Sequence, residues 1–401
     1  MRSLSQRGRG LLRLMPMVYL DHSATTPLDP EVLQAMMPYL TEEFGNASSV
    51  YGLGQRARQA IDQARDEVAA FYGVVAKEVI FTSGGTEGDN FAFRGIAERN
   101  ADRGRHVITS TIEHDAVLRS ADALERDGFE VTRLRVDRFG LVDPAALREA
   151  LRPDTILVSI MHANNEVGTI EPIRELVTVT RKHSQAYFHT DAVQSTGKIP
   201  VRVDELGVDL LSMSAHKLHG PKGVGCLVVR SGVRLEPQLH GGGHERNRRA
   251  GTENVAGIVG LAKAIGIAQR DLAKNTEHLT ALRDRLIAGV LDRIPGAELT
   301  GHPLKRLPHH ASFLFAGVEG ESLLLQLDME GIAASSGSAC TSGSLEASHV
   351  ILALGYPRDR ALGSLRLSVG KGNTGADIDL VLDRLPAMVA RLRAMAPISA
   401  A

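Results

Sequence analysis

Two cysteines occur in 401 residues, and their settings are opposite. Cys340 lies in "SSGSACTSGSLE", residues 335–346, a run of small polar residues with nothing to bury a thiol. Cys226 lies in "GVGCLVVR", inside an apolar run. A free cysteine is by default a buried, inert residue, and that is the expectation for Cys226. Ser and Gly bury little surface and leave the backbone free, so Cys340 is expected to be exposed and able to act as a nucleophile. Lys217, in "SAHKLHGPKG", follows the apolar run "DLLSM". A lysine just past the C-terminal end of a parallel strand lies where α/β sheets bind ligands. There it could form a Schiff base with a carbonyl compound. It could equally be a surface lysine, as most lysines are.

Three further stretches carry polar groups to strand ends. In "FTSGGTEGDN" a strand ends at Thr82, Gly84 and Gly85 allow a tight turn, and a helix should begin near Thr86. The N–H groups and dipole of a helix start suit a phosphate; the same pattern also fits a plain strand–helix turn. It is not a Walker A loop, since GxxxxGK[ST] does not occur. Asp191, closing "AYFHTD", is either an ordinary N-cap or the carboxylate that holds the pyridinium N–H of pyridoxal phosphate. His114, in "TIEHDAV", follows another strand end, and a lone histidine is more often structural than catalytic. Together the four groups point to one crevice. His240 and His244 flank three glycines and do not share a helical face as a metal pair would. His302, His309 and His310 fall in a Pro-containing loop and are expected to be solvated.

These residues need an α/β frame. From about Glu31 to Arg230 the pattern alternates helix and strand. "EVIFT", "HVITS", "EVTRLRV", "TILVSIM", "AYFHTD", "DLLSMS" and "GCLVVR" read as strands. Most are near-continuous apolar runs, as in a mostly parallel sheet covered by helices on both faces. A helical region from about Glu253 to Val290 leads to "ASFLFAG", "GIAASSG" and "SLRLSVG" as strands and "DIDLVLDRLPAMVARLRAM" as a closing helix. The expected division is a large domain at 27–265 and a smaller α+β domain from 17–26 and 266–401. Residues 1–16, basic and without acids, are expected to be a disordered extension rather than a transit peptide.

Composition bounds the rest. Lys and Arg number 46 against 47 Asp and Glu, and aromatics make up 4%. Neither favours a nucleic-acid partner. Two cysteines make no disulfide framework and no four-thiolate metal or iron–sulfur scaffold. A reducing, cytoplasmic setting fits. No apolar run of about 18 residues is present, so no membrane span is expected.

The set "LDHSATTPLDP", "FTSGGTEGDN", "IEHDAV", "HANNEVG", "HTDAVQS", "SAHKLHGPKG", "HGGGHERNRRAGTENV" and "SSGSACTSGSLE" closely resembles the NifS/IscS type of cysteine desulfurase. That type belongs to the class V aminotransferase group of fold-type I pyridoxal-phosphate enzymes. The resemblance covers about 18–395, with the motifs in the family's order. It implies a large domain with a seven-stranded, mostly parallel sheet. It implies pyridoxal 5'-phosphate held by Lys217, its ring nitrogen by Asp191, its phenolic oxygen by Gln194, with His114 stacked on the ring. The phosphate falls to Gly85, Thr86, Ser214 and His216, with Thr252 supplied from a partner subunit. Asn165 and Arg366 orient the substrate carboxylate, a task a planar guanidinium suits.

The resemblance further implies L-cysteine as substrate, L-alanine as product and a persulfide on Cys340. A sulfur-acceptor protein, such as an iron–sulfur scaffold, would receive that sulfur. The alternative within enzymes is a selenocysteine lyase or another β-eliminating relative. Gly88 departs from the serine common at its position, and Tyr51 from a histidine. The glycine-rich, polar "GGGHERNRRAGTENV" has little reason to be ordered by its own fold. A C2 homodimer with shared sites is expected to order it.

Overall fold

The computed structural model describes residues 17–337 and 346–395. The expected extension 1–16 and Cys340 lie outside the described residues. Twelve strands run in chain order: β1 (Val18–Tyr19), β2 (Val79–Thr82), β3 (His106–Ser110), β4 (Glu130–Leu134), β5 (Thr155–Ser159), β6 (Tyr187–Asp191), β7 (Leu210–Ser214), β8 (Gly225–Val229), β9 (Ala297–Leu299), β10 (His310–Phe315), β11 (Ile332–Ala333) and β12 (Ser364–Ser368).

The strands β2 to β8 form one seven-stranded sheet in the order β2-β8-β7-β6-β5-β3-β4. Only β8 runs against its neighbours, so the C-terminal ends of β2, β7, β6, β5 and β3 share one edge. Strands β3, β5, β7 and β8 are buried along their whole length, which explains why they read as unbroken apolar runs. The sequence signal is strong for these strands and weaker for β4, which is partly exposed, and the mostly parallel α/β class is the class observed.

Four helices early in the chain flank or alternate with these strands: α1 (Pro30–Thr41), α2 (Gly52–Tyr72), α3 (Gly85–Arg99) and α4 (Asp115–Arg126). Helix α2 buries Ala57, Ile61, Ala64, Val68 and Tyr72, the i, i+4, i+7 stripe of an amphipathic helix. It stops at Gly73, whose φ of 69° allows its N–H to close on Ala69 and Ala70. Its buried face also carries Arg65, a charge that needs a partner there.

A three-stranded sheet, β12-β10-β9, lies in the C-terminal half, and β1 pairs with β11 in a separate parallel ladder. The short β1, β9 and β11 have two or three residues each, too few for a periodic signal. One helix of 39 residues, Val255–Arg293, serves both apolar cores. Its Ile258, Leu261 and Ile265 pack into the core under the large sheet, and Leu279, Leu286 and Val290 into the core beside β10 and β12. The boundary expected at 265/266 falls inside this continuous helix. His309 and His310 correct the expectation of solvated loop histidines: both are fully buried, His310 as the first residue of β10.

Candidate active site

The shared strand edge opens onto a cavity of about 480 Å³. Lys217 enters it directly after β7, in a short 3-10 turn. Its Nζ donates to the carbonyls of Ser23 (2.6 Å) and Ala24 (2.7 Å). These carbonyls come from the segment between β1 and α1, and the Thr26 hydroxyl ties that segment down by donating to the His216 carbonyl. The lysine is thus aimed by backbone that is remote in sequence.

Asp191 closes β6 and lines the same cavity. Its Oδ1 accepts from the Val193 N–H at 2.8 Å, an N-cap-like turn, while the carboxylate also faces the cavity. Burial raises its pKa; His114 and Lys217, both cationic partners when charged, oppose the rise. His114 is the N-cap of α4, and its Nδ1 accepts from the Ala116 N–H at 3.1 Å. That bond leaves Nε2 as the ring nitrogen free to carry the proton. Beneath it Glu113 is buried and accepts from the Ser110 hydroxyl and the Met161 N–H. Burial pushes the Glu113 carboxyl up to about 8.

Gly85 and Thr86 line the cavity at the start of α3. Gly84, with φ 152°, makes the turn between β2 and α3. A Cβ on Gly85 would stand 2.7 Å from the Val193 Cγ2, so glycine is what lets the turn close onto the end of β6. Ser214 and His216 line the same wall. His216 shares a 3.0 Å hydrogen bond with the Thr25 hydroxyl. Burial, then the neighbouring Lys217, lowers its pKa to about 4. Gln194 donates to the Ser23 carbonyl at 3.0 Å.

At the far end Arg366, on β12, donates to the Asn165 carbonyl (2.9 Å) and to Asp21 Oδ1 (2.8 Å). Among the described residues its buried Nε has no hydrogen-bond partner. Asn165 sits in a turn stapled by its neighbour: Asn164 Oδ1 accepts from the Glu166 and Val167 N–H groups. The buried His310 approaches the Asn165 carbonyl at 3.2 Å, and His309 the Ser23 hydroxyl at 3.4 Å. Both histidines therefore brace the site from behind.

The cavity thus brings together Lys217, His114, Asp191, Gln194, Gly85, Thr86, Ser214, His216, Asn165 and Arg366. Thr252 is not among its walls; it is exposed on the surface of the chain. Asp21, Ser23 and Ala24 are walls that sequence reasoning missed. The motif "LDHSATTPLDP" was a signal, but nothing in it says that its carbonyls meet a lysine 193 residues away. Asp89, buried beside Asp191, was missed as well, and burial and that neighbour raise its pKa. A second cavity, about 320 Å³, adjoins the first and shares His114, Asn165, Glu166 and Gly337. Glu346, Ala347 and Ser348 line it too, so both flanks of the Cys340 segment border this space. The Ser348 hydroxyl donates to Glu166, which lies against Gly337.

The two departures have different consequences. Tyr51 is exposed before α2. Gly88 is buried, and a Cβ there would meet the Ser212 hydroxyl at 2.9 Å; that hydroxyl bonds His189 Nε2.

A doubly wound sheet with a lysine, a carboxylate and a helix start on one strand edge defines an α/β enzyme of the fold-type I class. The family model of class-V aminotransferases matches residues 18–381, and the chain belongs to that family. The family is dependent on pyridoxal phosphate. The chain is 54% identical over 382 residues to a protein of Methanosarcina thermophila named cysteine desulfurase IscS, covering 95% of this chain and 94% of that one. A solved NifS-like protein superposes with a TM-score of 0.89 at 39% identity, over 94% of this chain and 100% of its own. A structure of SspA in complex with cysteine matches with a TM-score of 0.79 at 34% identity, over 88% and 98%. Among the described residues no helix is long and apolar enough to cross a membrane.

Proposed function

We propose that the chain is an L-cysteine desulfurase that binds pyridoxal 5'-phosphate and passes sulfur through Cys340. The observation that carries this reading is the shared cavity, in which Lys217, Asp191, His114, a helix start and Arg366 line one wall system. The residues fit the cofactor. The start of α3 offers N–H groups for a phosphate. Asp191 is a buried carboxylate whose charge a protonated ring nitrogen would compensate. Lys217 Nζ is held by two carbonyls, weak partners that can be exchanged for a covalent bond.

When bound, pyridoxal 5'-phosphate supplies a sink for the electron pair released at the substrate Cα. Lys217 would hold it, and the Lys217 Nζ would take the substrate Cα proton. Asp191 would hold the ring nitrogen in its protonated form. Gln194 would hold the phenolic oxygen, and Gly85, Thr86, Ser214 and His216 the phosphate. Arg366 binds the substrate carboxylate, with the Asn165 side chain beside it. Cys340 attacks the substrate sulfur as thiolate: an S–S bond forms as the Cβ–Sγ bond breaks. The electron pair left on carbon is protonated, with His114 Nε2 and Lys217 placed to supply the proton, and L-alanine leaves. Three residues of chain span at most about 11 Å. Cys340 is therefore tethered within that distance of Gly337, which lines both cavities.

The same reading extends to the assembly. The domains are 17–26 with 266–401, and 27–265. The active species is a C2 homodimer in which each Thr252 reaches the phosphate of its partner; its exposure in its own protomer supports this. The persulfide passes to an acceptor protein such as an iron–sulfur scaffold. The test is reductive trapping with borohydride followed by peptide mapping, alongside alanine release from L-cysteine. Cofactor trapped on Lys217 with alanine formed is expected. Cofactor trapped on another lysine, or release of pyruvate in place of alanine, overturns the proposal.

A further inference from the structure

The loop "HGGGHERNRRAGTENV" is better anchored than its composition suggests. Glu245, 6% exposed, forms a two-pronged ion pair with Arg65 of α2, at 2.6 and 2.7 Å. Arg65 Nη1 also donates to the Val79 carbonyl at 2.8 Å, and Glu245 Oε2 accepts the Phe81 N–H at 3.1 Å. Both backbone groups belong to β2, the edge strand of the large sheet. The ion pair therefore occupies the position of a missing neighbour strand and satisfies edge groups that would otherwise be unpaired. Arg65 also lies over the Phe81 ring, 4.7 Å from its centre.

A second pair acts one turn further on. Arg249 donates to Glu87 from Nε (2.8 Å) and Nη2 (3.1 Å). Glu87, in the first turn of α3, accepts the Ser83 N–H at 2.7 Å. Ser83 is the residue that joins β2 to the Gly84–Gly85 turn. The loop thus grips the phosphate turn from both sides: Glu245 fixes the strand that enters it, and Arg249 fixes the carboxylate that closes it. A third pair, Arg58 with the buried Glu253 at 2.6 Å, holds the loop's exit next to Thr252. Glu245, Arg246 and Asn247 all have positive φ, between 47° and 62°. Three consecutive non-glycine residues adopt that conformation only when the surroundings impose it.

We propose that Glu245, Arg249 and Glu87 are positioning residues that preset the turn 83–86 for the cofactor phosphate. The loop is then a strut within one protomer, ordered before any partner docks, and it couples the turn to the surface that carries Thr252. The inference rests on the reading of 83–86 as the phosphate site.

Charge and position make opposite forecasts, which gives the test. Glu87 is an anion beside a dianion's site. If it acted by charge alone, Glu87→Ala would tighten cofactor binding. If it positions the turn, Glu87→Ala weakens binding despite the lost repulsion. The measurement is titration of the cofactor-stripped full chain with pyridoxal 5'-phosphate, followed by its visible absorption. We expect about a tenfold weakening for Glu87→Ala and a similar one for Arg249→Ala. The double variant should be no weaker than either single one, because both act through one contact. The two side chains are 22% and 19% exposed, so the thermal midpoint of each stripped variant is measured as well, and binding is compared at temperatures where all are folded. Glu245→Gln, which keeps an acceptor for Phe81, should give an intermediate loss. Wild-type binding with unchanged or tighter binding by Glu87→Ala overturns the inference and leaves the cofactor reading standing. No binding by the wild type overturns both.

Discussion

At one end of the cavity, Asp191, Ser214 and Lys217 come from consecutive strands of one sheet. At the other end Arg366 arrives from β12 and meets Asp21, 345 residues away in sequence. The first end is fixed by the fold of a single core, since a register shift in β6 or β7 would turn whole rows of buried side chains outward. The second end is an assembly of β12, the 20–26 segment and the turn at Asn165, joined by hydrogen bonds and a salt bridge. The comparison teaches where tolerance lies. The sheet-edge end, where the proposal puts the cofactor, is built rigidly. The other end holds its guanidinium against an internal carboxylate, which on the proposed reading a substrate carboxylate replaces.

Substitutions at the two ends should separate accordingly. Asp191→Ala removes the buried carboxylate of the rigid end. It should lower kcat by about 10³-fold, the scale of losing a preorganised electrostatic group, while reductive trapping on Lys217 persists. Loss of trapping as well would mean that Asp191 holds the fold rather than the ring. Arg366→Ala should act mainly on KM and reduce kcat/KM for L-cysteine by about a hundredfold, the scale of truncating a buried ion pair. Asp21→Asn should do less and in the opposite sense: KM falls about threefold, because the guanidinium loses its internal competitor. A KM that rises in Asp21→Asn would show that Asp21 orients Arg366 instead of competing for it.

The smallest effect concerns stability beneath His114. Glu113 has an ordinary carboxyl pKa near 4.5 when unfolded and about 8 when folded. A raised folded value means that its contribution is fully present below about 4.5 and is lost as pH rises through about 8. Glu113→Gln cannot ionise, so its thermal midpoint should gain on the wild type by a few degrees between pH 5 and pH 8. Calorimetry at the two pH values checks this; a constant gap would place the raised pKa elsewhere.

The rigid end was legible in the sequence and the assembled end only in part. "DLLSMS", "AYFHTD" and "EVIFT" are continuous apolar runs, so their strand ends could be located, and with them Lys217, Asp191 and Thr86. Arg366 and Asn165 were found through the family resemblance, since no local pattern marks them. Asp21, Ser23 and Ala24 act through long-range contacts, two of them by backbone carbonyls that carry no residue signature. His309 and His310 were misread because a Pro-containing stretch looks like solvated loop. They are buried against the carbonyl of Asn165 and the hydroxyl of Ser23, partners that only the tertiary fold supplies. The loop at 244–253 has partners that its own stretch does not reveal: Arg65 and Arg58 on α2 and Glu87 on α3.

The two cysteines provide the most direct test of sulfur transfer. Cys226 is fully buried, and burial drives its thiol pKa far above the usual range, so it cannot serve as a thiolate nucleophile. The measurement is mass spectrometry of the intact chain and its peptides after one turnover with L-cysteine, under non-reducing conditions. The account predicts one added sulfur atom on the peptide bearing Cys340, none on the peptide bearing Cys226, and an equal amount of alanine. Alanine released at the wild-type rate by Cys340→Ser, or sulfur found on Cys226, would contradict it.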